Sequence, residues 1–216
     1  MKFVESFNES VHDFRSGVCM LSRMSTPKIL VFAGSTRAGS CNKRLARIAA
    51  DAARNAGATV TLLDLRDLPL PIFDEDLEAE HGLPDNAKKL KVLLREHDGF
   101  IIASPEYNSS ITAVLKNAID WASRSETDDE PALSAYRGKI AALLSASPGA
   151  LGGMRGLVHL RAILGNIGVI VLPDQVALPK AYEAFDAAGQ LKEERPAKQL
   201  TALVESLVHF LKKHLS

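Results

Sequence analysis

The sequence predicts an α/β fold built on a doubly wound, five-stranded parallel sheet in a single domain. Apolar runs alternate along the chain with amphipathic patterns at helical spacing, as strands alternate with helices in such folds. The apolar runs are continuous, which is typical of parallel strands covered on both faces. Because 216 residues with 46% hydrophobic side chains can bury a sizeable core, we expect one globular domain.

Strands and helices are predicted in strict alternation, which requires right-handed crossovers between parallel strands. The helix after the first strand carries Leu45, Ile48 and Ala52 on one side, and the last helix carries Leu200 and Val204 on one stripe. The predicted strands are 28–33, 59–65, 99–104, 139–146 and 168–173, and the predicted helices are 42–56, 85–97, 111–123, 154–167 and 196–214.

Composition and charge argue against several classes of function. Lys plus Arg equals Asp plus Glu at 26 each, so no strongly basic surface is expected for nucleic acid or an anionic membrane. The two cysteines, Cys19 and Cys41, are too few for a disulfide framework and lack zinc-ligand spacing, and the six histidines are scattered. We therefore expect a reduced, metal-free, cytoplasmic protein that binds neither nucleic acid nor a membrane.

Residues 1–27 stand outside the alternating pattern. Four charged side chains, Glu5, Glu9, Asp13 and Arg15, occur before any apolar run of signal-peptide length develops. We interpret 1–27 as an N-terminal extension, which could be flexible, and 28–216 as the folded domain.

The loop after the first strand has the composition of a phosphate site. In doubly wound sheets, ligands bind outside the carboxyl ends of the strands, and this loop, 34–42, reads GSTRAGSCN. Glycines permit close backbone approach, hydroxyls can donate hydrogen bonds, and the following helix start attracts anions. Arg37 is the only cation between Lys28 and Lys43, so a phosphate monoester is the expected occupant.

A purely structural reading of this loop is the alternative, in which Ser40 or Asn42 caps a helix and Arg37 is solvated. The loop matches neither GxxxxGK[ST] nor GxGxxG, so a monophosphate is favoured over a nucleoside triphosphate or a dinucleotide. Asp64 is interpreted as a strand-end turn residue, and Cys41 as a small packed residue without a catalytic partner.

The loop after the third strand offers polar groups to the edge of a flat ring. Pro105 stops the strand, and Glu106, Tyr107 and Asn108 follow before a serine at 109–110 caps the next helix. Tyr107 can lie against a ring face, and the backbone can meet a donor and acceptor edge. Taken singly, packing for Tyr107 and solvation for Glu106 are the simpler interpretations.

The loop after the fourth strand, 145–156, is rich in glycine. It reads SASPGALGGMRG, with four glycines and a proline, which indicates another close approach to the same ring. A flexible surface turn is the alternative. Arg155, which follows the glycines, could attract phosphate groups but is interpreted as a surface or interface residue.

Together, the three loops resemble the NADPH-dependent FMN reductase family, which includes chromate, quinone and azo-dye reductases. The motifs are GSxRxxSxN, PEYNxS…LKNAIDW and SxGxxGG, in this order over about residues 28–175. The resemblance implies a flavodoxin-like fold that binds FMN. By motif position, Ser35, Arg37, Ser40 and Asn42 would hold the FMN phosphate, Pro105, Glu106, Tyr107 and Asn108 the isoalloxazine edge, and Ser147, Gly149, Gly152 and Gly153 its other side.

The implied reaction is two-electron, ping-pong hydride transfer from NADPH or NADH through FMN to a small-molecule acceptor such as a quinone, flavin, azo dye or chromate. No acid, base or metal is required, so no catalytic residue is assigned. The family's assemblies imply a homodimer or homotetramer. One departure from the family pattern is visible. Many relatives have proline and glycine where this chain reads Ile111-Thr112-Ala113, so the family's helix entry and substrate clearance do not carry over at this point, whereas FMN binding does.

Two other classes remain open. A flavodoxin-like one-electron carrier would share the fold, but carriers usually present an acidic docking surface that a neutral chain does not supply. A phosphorelay receiver would need an acidic cluster beside the first strand, where this chain has Gly34 and Ser35. The carrier is the stronger alternative.

Overall fold

The computed structural model describes residues 25–216, so the predicted N-terminal extension lies almost entirely outside the described residues. Helices cover both faces of one sheet. Among the described residues, none of the helices combines the length and the hydrophobicity that a membrane span requires. The strands are β1 (Lys28–Ala33), β2 (Thr59–Leu63), β3 (Gly99–Ala103), β4 (Ile140–Ala146) and β5 (Ile170–Leu178); the helices are α1 (Cys41–Asn55), α2 (Glu75–His81), α3 (Asp85–Glu96), α4 (Ala113–Ser123), α5 (Met154–Asn166) and α6 (Glu194–His214), with a 3₁₀ turn at Leu65–Asp67.

The sheet is five-stranded and parallel, in the order β2-β1-β3-β4-β5. The chain leaves β1 for β2 on one side and then returns to place β3 on the other side, so the strand order reverses between β1 and β3. This confirms the predicted doubly wound sheet and its flavodoxin-like order. The reversal opens a crevice at the carboxyl ends of β1 and β3, where a ligand can enter between the diverging loops.

The core consists of two apolar layers, one on each face of the sheet. In β1, Ile29 and Val31 pack toward α1 and α6, whereas Leu30 and Phe32 pack toward α3, α4 and α5. All four side chains are buried, and each such side chain contributes about 1.5–3 kcal/mol on removal from water. This two-sided burial explains why the central strands have continuous apolar sequences.

The edge strands depart from the prediction of five fully buried strands. β2 is half-exposed, and Leu62 retains 43% of its accessible surface, because an edge strand has only one neighbour. β5 continues through Pro173 to Leu178, whereas the sequence placed its end at the proline. The pairing of β5 with β4 shifts register between Ala141 and Leu143. Pro173 has no backbone N–H, and an irregularly paired edge strand tolerates such a residue.

Two helix predictions were also incomplete. Helix α2 was not predicted because none of its side chains is buried, so it has no apolar stripe; Asp74 caps it by accepting from the backbone N–H of Asp76 at 2.8 Å. Helix α4 is capped by Thr112 rather than by a serine at 109–110, and the Thr112 hydroxyl accepts from the Leu115 N–H at 3.2 Å. The chain therefore makes a further turn before α4 begins.

Candidate functional site

The ends of β1, β3 and β4 bring the three predicted loops to one edge of the sheet. The Gly34 N–H donates to the Ala103 carbonyl at 2.9 Å, and the Ser104 N–H donates to the Leu144 carbonyl at 2.8 Å, so the strands remain paired up to the loops. A depression of about 140 Å³ lies between the loops. Most of the predicted site residues line it, namely Ser35, Arg37, Ser40, Asn42, Pro105, Glu106, Tyr107 and Ser147.

The loop between β1 and α1 presents unpaired hydrogen-bond donors. Within the described residues, no hydrogen bond uses the backbone N–H groups of Ser35, Thr36, Ala38 or Gly39. Ser40 is buried and caps α1 by accepting from the Lys43 N–H at 3.4 Å, which confirms the capping alternative while leaving its hydroxyl at the depression. Free N–H groups before a helix start form the kind of cradle that binds a phosphate.

Arg37 supplies the positive charge at this cradle. It is exposed and, among the described residues, forms no ion pair. Lys43 lies in the first turn of α1, but its ammonium contacts Asp64 at 2.6 Å and is neutralised there. Burial alone would raise the pKa of Asp64, yet the Lys43 and Arg66 interactions outweigh it and lower that pKa. Asp64 therefore caps the turn after β2, as the sequence suggested, and also pairs with Lys43, which the sequence did not suggest.

Asn42 joins the cradle to the end of β4. Its amide N–H donates to the Ala146 carbonyl at 2.8 Å, and its amide oxygen accepts from the Ala146 N–H at 2.9 Å. One amide N–H remains available to a ligand, since an asparagine amide has two. The side chain thus fixes the position of the loop, in addition to lining the depression.

The segment after β3 forms a tight turn beside the depression. Tyr107 and Ser110 exchange backbone hydrogen bonds of 2.9 and 3.0 Å, and Asn108 and Ser109 occupy the tip with φ of 49° and 65°. Two consecutive positive φ values suit Asn better than most residues. Asn108 is therefore held at the turn tip and does not line the depression, whereas Tyr107 lines it and is 60% exposed.

Glu106 is paired with Arg155 and with the start of α5. The Arg155 guanidinium contacts Glu106 Oε1 at 2.6 Å, and the Gly156 N–H donates to Oε2 at 3.2 Å. Burial alone would raise the pKa of Glu106, but the Arg155 and Gly156 hydrogen bonds and the Arg155 charge outweigh it and lower that pKa. The carboxylate is therefore ionised and joins the β3–α4 loop to α5, so Glu106 is not simply solvated, whereas Arg155 lies at the surface as the sequence suggested.

Two of the glycines after β4, Gly152 and Gly153, are explained first by packing. A Cβ at Gly152 would lie 2.7 Å from the Ala177 carbonyl carbon, and one at Gly153 would lie 1.9 Å from Ser145 Oγ. Both residues also have positive φ, at 62° and 91°. Gly149, Gly152 and Gly153 do not line the depression, although Ser147 does. Their contact with a ring remains a prediction.

The segment after β5 contributes residues that the sequence reasoning missed. Ala181 and Tyr182 line the depression, and Tyr182 is 71% exposed. The Ala181 carbonyl accepts from Cys41 Sγ at 3.5 Å, which confirms Cys41 as a packed residue. Extending the strand-end argument to the fifth strand would have found this segment, but the strand was ended too early at Pro173.

These features define an α/β protein with a donor-rich depression at the reversal point of its sheet. The chain belongs to the NADPH-dependent FMN reductase family, whose sequence profile matches residues 27–183. An NAD(P)H-dependent FMN reductase of Pseudomonas aeruginosa is 35% identical over 181 residues, which cover 83% of this chain and 92% of the relative. A quinone reductase of Escherichia coli is 36% identical over 188 residues, covering 86% and 96%.

Solved structures agree with this assignment. FerB, a flavoenzyme NAD(P)H:(acceptor) oxidoreductase from Paracoccus denitrificans, superposes with a TM-score of 0.74 at 30% identity, covering 88% of this chain and 99% of that one. An azoreductase from Bacillus anthracis shares the fold, with a TM-score of 0.55 at 19% identity over 87% of this chain and 100% of that one. The chain is an FMN-dependent NAD(P)H oxidoreductase, and the free donors and Arg37 at the cradle suit the FMN phosphate.

Proposed function

We propose that this protein passes electrons from NAD(P)H through FMN to small, flat acceptors, quinones first among them, in a ping-pong cycle. The observation that carries the proposal is the shape of the site. A donor-rich cradle lies at one end, and a shallow depression bordered by exposed Tyr107 and Tyr182 lies beside it. The quinone reductase of Escherichia coli among the relatives supports the choice of acceptor.

Phosphate binding is the role proposed for the first loop. Ser35, Arg37 and Ser40, with the free N–H groups of the loop, would hold the FMN phosphate, and Asn42 would keep the loop in register with β4. Arg37 contributes a charge-assisted hydrogen bond that a neutral flavin without phosphate cannot accept.

Ring binding is the role proposed for the other two loops. Pro105, Tyr107 and Ser147 would border the isoalloxazine, with Glu106 acting through its contact with α5. The depression of 140 Å³ is smaller than the roughly 300–1,000 Å³ of typical ligand pockets, so it covers part of such a ligand. We expect the remaining predicted residues to contact the ring when it is bound, namely Asn108, Gly149, Gly152 and Gly153. When bound, FMN supplies the two-electron chemistry, and the protein supplies binding and orientation.

A homo-oligomer in the cytoplasm completes the proposal. Leu151, Met154 and Val158, on α5 and the loop before it, expose 52%, 47% and 59% of their accessible surfaces. Grouped exposed apolar side chains are typical of a protein–protein interface. The low cysteine content is typical of a reducing compartment, and together with the balanced charge it supports a cytoplasmic location.

Steady-state kinetics test the shared site. With NAD(P)H varied at several benzoquinone concentrations, we expect parallel double-reciprocal lines, because donor and acceptor must use the same open face of the site in turn. Each substrate should inhibit competitively against the other at high concentration. Intersecting lines would contradict the shared face, and absence of turnover with any quinone in the presence of bound FMN would contradict the acceptor class.

A further inference from the structure

Two carbonyl groups of the first loop are held from outside the depression by side chains of other elements. Thr112 Oγ1 donates to the Gly34 carbonyl at 2.6 Å, and Thr112 is 3% exposed. The Arg66 guanidinium, from the 3₁₀ turn after β2, donates to the Thr36 carbonyl. Neither Thr112 nor Arg66 lines the depression.

These contacts determine where the adjoining N–H groups point. In a trans peptide, the carbonyl and the following N–H lie in one plane and point in opposite directions within it. The Gly34 carbonyl shares its plane with the Ser35 N–H, and the Thr36 carbonyl shares its plane with the Arg37 N–H. Holding the two carbonyls therefore turns the two N–H groups the other way, toward the side on which Ser35 and Arg37 line the depression.

The rest of the loop is consistent with a fixed orientation. The Ser35 N–H has no partner within the described residues, and the Arg37 N–H donates to Ser35 Oγ at 3.3 Å, which positions that hydroxyl. The first turn of α4 lies directly against the loop, since a Cβ at Gly34 would be 2.9 Å from Leu115 Cβ. The Thr112 hydroxyl uses both its donor and its acceptor, because it also accepts from the Leu115 N–H.

We propose that Thr112 and Arg66 are positioning residues for the phosphate cradle, holding the Gly34 and Thr36 carbonyls so that the Ser35 N–H, and the Ser35 hydroxyl that the Arg37 N–H holds, face the FMN phosphate. This inference rests on the proposed phosphate site. It gives a function to Thr112 beyond helix entry, because the cap of α4 and the orientation of the cradle depend on the same hydroxyl. Thr112 is buried, whereas Arg66 is exposed, so water competes with the Arg66 contact and its contribution is smaller.

The test compares two flavins on protein stripped of FMN. Dissociation constants for FMN and for riboflavin, which lacks the phosphate, are measured by quenching of flavin fluorescence for Thr112→Val, Thr112→Ser and Arg66→Met. Thr112→Val should weaken FMN binding about three- to tenfold, as expected for one neutral hydrogen bond, and riboflavin binding less than twofold. Thr112→Ser keeps the hydroxyl and should restore FMN binding, and Arg66→Met should weaken FMN binding about two- to threefold.

Asp74→Ala is the matched control, because it removes the N-cap of α2 and does not touch the depression. It should lower the melting temperature while leaving the ratio of FMN to riboflavin affinity unchanged. If Thr112→Val weakens the binding of FMN and riboflavin equally, or the binding of neither, the positioning role is overturned. If Thr112→Val does not fold, an unchanged FMN affinity in Arg66→Met and Thr112→Ala would overturn it. Wild-type protein that binds FMN and riboflavin equally would instead refute the phosphate site itself.

Discussion

Replacing Asn42 with alanine should destabilise the fold and weaken FMN binding together. The Asn42 amide makes two hydrogen bonds to the backbone of Ala146, at 2.8 and 2.9 Å, and both residues are buried. Removing the amide leaves a backbone N–H and a carbonyl without partners, and each such group costs about 1–3 kcal/mol. The free energy of unfolding should therefore fall by about 2–6 kcal/mol.

Urea denaturation of the FMN-free protein measures this loss. With a slope of about 1–3 kcal/mol per molar urea, the midpoint should move down by about 1 M or more. Leu203→Ala is the control, because it empties a buried position on α6 and costs a comparable amount away from the site. Under conditions in which both variants are folded, only Asn42→Ala should bind FMN more weakly. An unchanged midpoint, or an equal effect of both variants on FMN affinity, would refute the connection between the cradle and β4.

Two further predictions concern the rest of the chain. Burial alone would raise the pKa of Glu130, but hydrogen bonds from the Glu126 N–H, Lys91 and Ser134 lower it from 4.5 to about 2, so the stability it provides is present above pH 4.5 and is lost as the pH falls toward 2. Glu130→Gln should cost about 3 kcal/mol at pH 7, the lower end for a broken buried pair, because Lys91 loses its partner at 2.8 Å and keeps the Arg124 carbonyl at 2.6 Å and Glu126 at 3.6 Å. An acid unfolding midpoint that does not shift would contradict this. A chain that begins at Met24 should fold, bind FMN and retain turnover, since the family match and β1 begin at residues 27 and 28; a large drop in melting temperature would contradict the extension.

The central part of the fold was predictable because burial on both faces leaves a direct signal in the sequence. β1, β3 and β4 are apolar except for Lys28 and Ser145, and their loops follow them immediately. The edges were less predictable: a proline in the middle of β5 reads as a strand end unless the irregular pairing with β4 is known. Helix α2 gave no apolar periodicity because none of its residues is fully buried.

The site was predictable as a set of loops and less so as a set of contacts. Residue type and position predicted that Ser35, Arg37 and Ser40 lie together after β1, and all three line the depression; their contact with a phosphate stays a prediction. The Asn42–Ala146 and Glu106–Arg155 contacts join residues distant in sequence, so only the folded chain reveals them. The same applies to the glycines after β4, whose composition suggested a ligand although packing already requires Gly152 and Gly153.

The most direct test of the account is the effect of Arg37→Ala on the binding of FMN and riboflavin to the FMN-free protein. Arg37 lines the depression and forms no ion pair among the described residues, so its loss should weaken FMN binding by about 1.5–3 kcal/mol, the range for a hydrogen bond to a charged group. Riboflavin binding should change little. Arg47→Ala removes the same charge from the exposed face of α1 outside the depression and should affect neither flavin. Equal losses for FMN and riboflavin in Arg37→Ala, or an equal effect of Arg47→Ala, would contradict the placement of the FMN phosphate in this loop.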